Sequence, residues 1–175
     1  MTDIELVCAD LTTMTVDAIV CPAHKHLIRG CGVSAQVFDR AGVALVDACR
    51  ELEPQVGEAV TTAAFALPAQ RIIHTVTPQW SGGDQWGAIA LQQLRRCYDS
   101  VIVQALQHQV HTLALPALGA GSNKIPQTVA AHQGLDVLNK HTEKFERLIV
   151  CLQTETDKHV WQNTQAQFYS QQKTA

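Results

Sequence analysis

A chain of 175 residues, 46% hydrophobic and 17% charged, has the make-up of one globular domain able to bury a substantial core. Its net charge of −3 gives no electrostatic basis for binding a nucleic-acid backbone or an anionic membrane, although one small anion would need only local N–H groups. No window is apolar for long enough to span a bilayer and no signal-peptide pattern opens the chain, so the cytoplasm is the expected compartment and no membrane the expected partner.

In chain order, residues 4–8 read as a first strand and residues 10–13 as a polar turn. Residues 17–21 form a second apolar strand, followed by a loop from Pro22 to Gly32 that is long enough for a functional role. Residues 33–41 suit a short helix with Val33, Val37 and Phe38 on one face, and residues 43–52 a second helical piece after Gly42. Residues 58–64 are strand-like through Val60, Thr61 and Thr62, and residues 71–76 make a fourth strand. After a loop over 78–83, residues 86–108 predict a long helix. Its apolar stripe is Ile89, Leu94, Tyr98, Val101, Ile102, Ala105 and Leu106. Residues 112–115 and 148–152 are buried strands, 128–138 and 156–168 helices, and 170–175 a frayed tail. Strands and helices alternate without internal repeats, which implies a single α/β domain spanning 1–175. The cysteines at 8, 21, 31, 49, 97 and 151 are scattered through these elements, unlike a disulfide framework, so buried thiols are expected.

The stretch from Leu113 to Pro126 carries the clearest chemistry. A short apolar strand runs into small residues with Gly119 and Gly121, and a helix follows Pro126. Such a turn can cradle a phosphate, because glycines admit close approach and the turn's N–H groups converge on the anion. The same pattern also serves as an ordinary crossover, so the stretch by itself leaves both readings open.

Further strings decide the family. They are Ala9-Asp10-Leu11-Thr12, Val16-Asp17-Ala18-Ile19-Val20, Gly32-Val33, Cys49-Arg50-Glu51-Leu52 and Gly57-Glu58-Ala59-Val60-Thr61. Leu67-Pro68-Ala69, Ile72-Ile73-His74-Thr75-Val76-Thr77-Pro78-Gln79-Trp80 and Leu115-Pro116-Ala117-Leu118-Gly119-Ala120-Gly121 complete the set. In this order, across residues 4–138, they resemble the macro domain, the ADP-ribose-binding module. The resemblance implies a three-layer α/β/α sandwich around a mixed sheet of about six strands, with a ligand cleft at the carboxyl ends of the central strands. It implies ADP-ribose, or a related adenine nucleotide, as the ligand. Asp10 would accept a hydrogen bond from the adenine amino group, with Leu11 beside it; a turn cap is the alternative role for that aspartate. Gly32 and Val33 would lie against the diphosphate and distal ribose, and Gly119, Ala120, Gly121, Ser122 and Asn123 would form the diphosphate loop. Ala23 and His24 close the list of expected ligand contacts.

Three departures from the family pattern fall at these positions. Its Asn-Ala-Ala-Asn is here Cys21-Pro22-Ala23-His24, so His24 stands where an asparagine orients the distal ribose. The oligoglycine run is Ile28-Arg29-Gly30-Cys31-Gly32, and the acidic residue that the hydrolytic branch uses to activate water is Ser34. Asn123-Lys124 replaces an aromatic residue and a glycine. Binding is therefore the expected function. The alternatives are hydrolysis of an ADP-ribose adduct or O-acyl ester, with no catalytic residue assigned, and a cleft turned over to another ligand or a protein partner. An ADP-ribosylated macromolecule is a further candidate partner, and no cofactor is expected. Cys21, His24, His26 and Cys31 are a soft-ligand set within eleven residues, but their spacing does not match a zinc motif of the family. His74 reads as a structural histidine, and Trp80, Trp86 and Trp161 as packing groups.

Overall fold

The computed structural model describes residues 3–80 and 84–169. Six strands form one sheet: β1 (Ile4–Cys8), β2 (Ala18–Ala23), β3 (Ala59–Ala63), β4 (Arg71–Val76), β5 (Thr112–Pro116) and β6 (Arg147–Leu152). Their order across the sheet is β1-β6-β5-β2-β4-β3, all parallel except β3, which runs antiparallel to β4. The helices are α1 (Gly32–Ala41), α2 (Val43–Cys49), α3 (Asp84–Gln107), α4 (Gln127–Asn139) and α5 (Glu155–Phe168). This is the expected three-layer sandwich around a mixed sheet.

The layering follows from alternation along strands that are apolar on both faces. In β6, Leu148, Val150 and Leu152 join α3, α4 and α5 in one core; Ile149 and Cys151 join α1 and α2 in the other. Strand β2 divides likewise, with Ala18 and Val20 on the first side and Ile19, Cys21 and Ala23 on the second. A parallel sheet covered on both faces needs this double-sided apolarity. The β2–β5 register is pinned at its base by Asp17. Its Oδ2 accepts the amides of His111 and Thr112 at 2.7 and 3.1 Å, while its own amide donates to Thr112 Oγ1 at 2.7 Å.

Several boundaries differ from the sequence expectation. Strand β2 continues through Pro22 and Ala23, which pair with Thr75 and Val76 of β4. Pro22 is tolerated because β5 pairs only with Ala18 and Ile19, so no ladder bond to β5 is due at the proline. Helix α2 stops at Cys49, short of Leu52. In α3, Ile89 and Leu106 are 48% and 42% exposed, while Ala90 and Cys97 face the core in the stripe's place. Cys21, Cys49, Cys97 and Cys151 are buried free thiols, whereas Cys8 and Cys31 are exposed. Trp161 is fully buried and donates its indole N–H to Gln127 Oε1 at 3.0 Å, a packing role as expected. The predicted loop residues 81–83, the tail at 170–175 and the Trp86 side chain lie outside the described residues. No described helix is long and apolar enough to cross a membrane.

Candidate functional site

A cleft of about 740 Å³ opens at the carboxyl ends of β2, β4, β5 and β6. Nearly all of the expected contacts line it: Ala23, His24, Gly32, Val33, Gly119, Ala120, Gly121, Ser122 and Asn123. Asp10 and Leu11 do not. Leu11 is buried in the core beneath α1 and α2. Asp10 caps the short 3-10 turn after β1, its Oδ1 accepting from Thr12 N at 2.9 Å and from Thr12 Oγ1 at 2.6 Å. Its Oδ2 meets Arg40 at 3.1 Å. The Thr12 hydroxyl above all holds this carboxyl below the usual range, with the Arg40 guanidinium acting in the same direction. Cys151 lines the cleft and lies close enough to feel the Asp10 charge; burial first, and that charge second, push its thiol up to about 11.

One wall is the loop after β5. Gly119 has φ +82°, a left-handed conformation that a side chain would strain, and a Cβ there would lie 2.5 Å from Ile125 Cδ1. The loop closes through Lys124 N to Gly121 O at 3.0 Å and Ile125 N to Gly119 O at 2.9 Å. The amides of Gly121, Ser122 and Asn123 donate to no acceptor among the described residues. Asn123, where the family resemblance implies an aromatic ring, ties this loop to the end of β4. Its Nδ2 donates to Thr77 O at 3.1 Å and to Thr77 Oγ1 at 2.6 Å, and its carbonyl accepts Trp80 N at 2.8 Å. Asn123→Asp replaces that donor by an acceptor facing two oxygens. It is expected to lose about 2 kcal/mol in urea unfolding, whereas unchanged stability would mean the tie contributes nothing.

The opposite wall is the loop between β2 and α1. It winds through left-handed conformations at Leu27, Gly30 and Gly32 and is anchored by Leu27, which is 2% exposed. Cys31 occupies the N-cap position of α1 with φ −137°, extended backbone that any residue adopts, so a Cβ there brings no strain. Arg29 neither points freely to solvent nor faces the cleft wall: it forms a two-pronged pair with Asp39, 2.7 Å on each prong, exposed at the surface. Ser34 lines the cleft at 5% exposure, its hydroxyl on the side of the buried Cys21 thiol.

The soft-ligand set does not converge. Cys21 sits fully buried in β2, where desolvation pushes its thiol up to about 12, while Cys31 is exposed at the helix start. Among the described residues no three metal-ligating side chains gather around one point. His74 is a core residue beside Phe38, as the sequence suggested, with Nε2 at 2.9 Å from Thr62 Oγ1.

Sequence reasoning missed Thr77, Gln93, Gln127, Gln153 and Asp157, which also line the cleft. Thr77 and Gln153 directly follow the ends of β4 and β6, a positional signal the strand assignments already carried. Asp157 brings the one carboxylate among the described residues of the cleft wall.

A Macro domain family model matches residues 20–133. The chain is 38% identical over 144 residues to a macro domain-containing protein of Ralstonia nicotianae, covering 82% of each. It is 36% identical over 164 residues to the ADP-ribose glycohydrolase MACROD1 of Rattus norvegicus, covering 91% of this chain and 63% of that protein. Its fold superposes on the Oceanobacillus iheyensis macrodomain with ADP at a TM-score of 0.85 and 27% identity, covering 92% of this chain and 88% of the other.

Proposed function

Because the chain belongs to the macro domain family, we propose that its cleft binds ADP-ribose or a closely related adenine nucleotide, with the diphosphate held by the loop from Gly119 to Asn123. The observation that carries this reading is the row of amides at Gly121, Ser122 and Asn123, without acceptors among the described residues, on the cleft wall opposite the start of α1. Convergent N–H groups and a helix N-terminus are what an anionic diphosphate requires. A Cβ at Gly121 would meet nothing within 4 Å, so the loop leaves open space where the ligand would lie. A structure of a similar macrodomain with ADP supports the same class of ligand. An ADP-ribosylated macromolecule is the larger form of that ligand.

Calorimetric titration with ADP-ribose, ADP and AMP tests the reading, and no binding at millimolar ADP-ribose refutes it. Asp10, close enough to the cleft-lining Cys151 for its charge to act on that thiol, is proposed as the acceptor for the adenine amino group. The aspartate is also a cap, so Asp10→Ser is the informative variant: serine keeps the cap but is too short to reach a base. Asp10→Ser is expected to keep its stability and to lose about tenfold in ADP-ribose affinity, the worth of one charged hydrogen bond. Equal affinity would leave Asp10 as a cap only.

Hydrolysis of an ADP-ribose adduct is the second reading, favoured by the 36% identity to a glycohydrolase. Release of ADP-ribose from an ADP-ribosylated peptide is its test.

A further inference from the structure

The ring of His24 is held in one particular way. His24 directly follows β2 and lines the cleft. Its Nδ1 lies 3.2 Å from the backbone amide of His26, oriented to accept that N–H. An amide nitrogen only donates, so Nδ1 must present its lone pair, and a neutral imidazole then carries its proton on Nε2. The turn that aligns the two groups is closed by Leu27 N donating to His24 O at 2.8 Å, and Leu27 is buried beneath it. The His26 ring packs beside the His24 ring, centroids 5.3 Å apart and 35° inclined. The one ring nitrogen left for a ligand is therefore a donor.

We propose that His24 is a specificity-determining residue that donates Nε2–H to an acceptor oxygen of the bound nucleotide, a sugar hydroxyl or a phosphate oxygen, and is not a proton acceptor in any reaction at this cleft. The assignment rests on the ADP-ribose reading of the cleft. Accepting a proton at Nε2 would require moving the existing one to Nδ1 and breaking the bond to the His26 amide. The same wall offers the Lys25 ammonium and the Ser34 hydroxyl, and no carboxylate among the described residues.

Two measurements test this on the full chain. In protein labelled with nitrogen-15 at histidine, long-range proton–nitrogen correlations at neutral pH are expected to show the Nε2–H tautomer for His24. The Nδ1–H tautomer overturns the proposal. Titration of His24→Ala with ADP-ribose is expected to show about a tenfold loss, and His24→Gln, whose amide still donates, recovery to within about threefold of the parent. If ADP weakens in parallel with ADP-ribose, the acceptor is a phosphate oxygen or a hydroxyl of the adenosine ribose; if ADP is unaffected, it belongs to the distal sugar. Unchanged affinity in His24→Ala, or no recovery in His24→Gln, overturns this inference while leaving the functional reading intact. A parent protein that binds neither nucleotide overturns both.

Discussion

Acidifying the solution from pH 7 to pH 4 is expected to remove about 3 kcal/mol of folding stability through His74. His74 is fully buried, and desolvation lowers its pKa from 6.5 to about 4. Its hydrogen bonds explain why charge is not tolerated. The Thr62 hydroxyl donates to Ala63 O at 3.0 Å, so Thr62 Oγ1 accepts from His74 Nε2–H at 2.9 Å. Nδ1 is then a bare lone pair, and it has no partner among the described residues. Protonation would place an N–H and a positive charge there with no acceptor. Between pH 6.5 and 4 the unfolded ring binds a proton that the folded ring refuses. Stability is thus full above about 6.5 and falls as the pH drops towards 4. Urea unfolding at pH 7, 5.5 and 4.5 should show this slope, and His74→Gln, which cannot titrate, should flatten it. Parallel pH profiles for the parent and the variant would refute the assignment.

Gly134→Ala should destabilise the protein by about 2 kcal/mol, although alanine in a helix interior ordinarily gains about 1 kcal/mol over glycine. Gly134 lies within α4 where that helix meets α3 and α5. A Cβ on it would sit 2.6 Å from Tyr98 Oη, 2.9 Å from Trp161 Cη2 and 3.0 Å from Tyr98 Cζ. Both rings are fully buried and rigidly packed, so neither can give way as a flexible side chain would. Tyr98→Phe removes the nearest obstacle, the hydroxyl, and keeps the ring in place. In a double-mutant cycle, Gly134→Ala should therefore cost markedly less in the Tyr98→Phe background. Additive losses would show that the clash is relieved elsewhere.

Much of the cleft is legible in the sequence. The glycines of residues 119–121, the Gly32-Val33 pair and His24 were identified from short strings, because backbone conformation and strand ends leave local marks. Asp10 is less legible: its string suits a base acceptor or a turn cap, and in the structure it caps the turn through Thr12 and pairs with Arg40, which leaves the acceptor role to the Asp10→Ser titration. Arg29, set in the altered glycine run, is similar: its place was decided by Asp39, ten residues on in α1, with which it pairs. The α3 stripe misplaced Ile89 and Leu106, since periodicity gives a face but not how far along the helix the sheet covers it.

By itself the sequence determined the α/β class, the two-sided apolarity of the central strands and the family strings, for these depend on residues near one another in the chain. Only the tertiary structure decided the strand order, the antiparallel β3 and the tie from Asn123 to Thr77 across 46 positions. It also decided that Cys21 in β2 is buried while Cys31 in the following loop is exposed, and which polar atoms in the core go unpartnered. The reason is physical. Hydrogen bonds and desolvation act over a few ångströms of space, and which distant residues come that close is set by sheet register and helix packing.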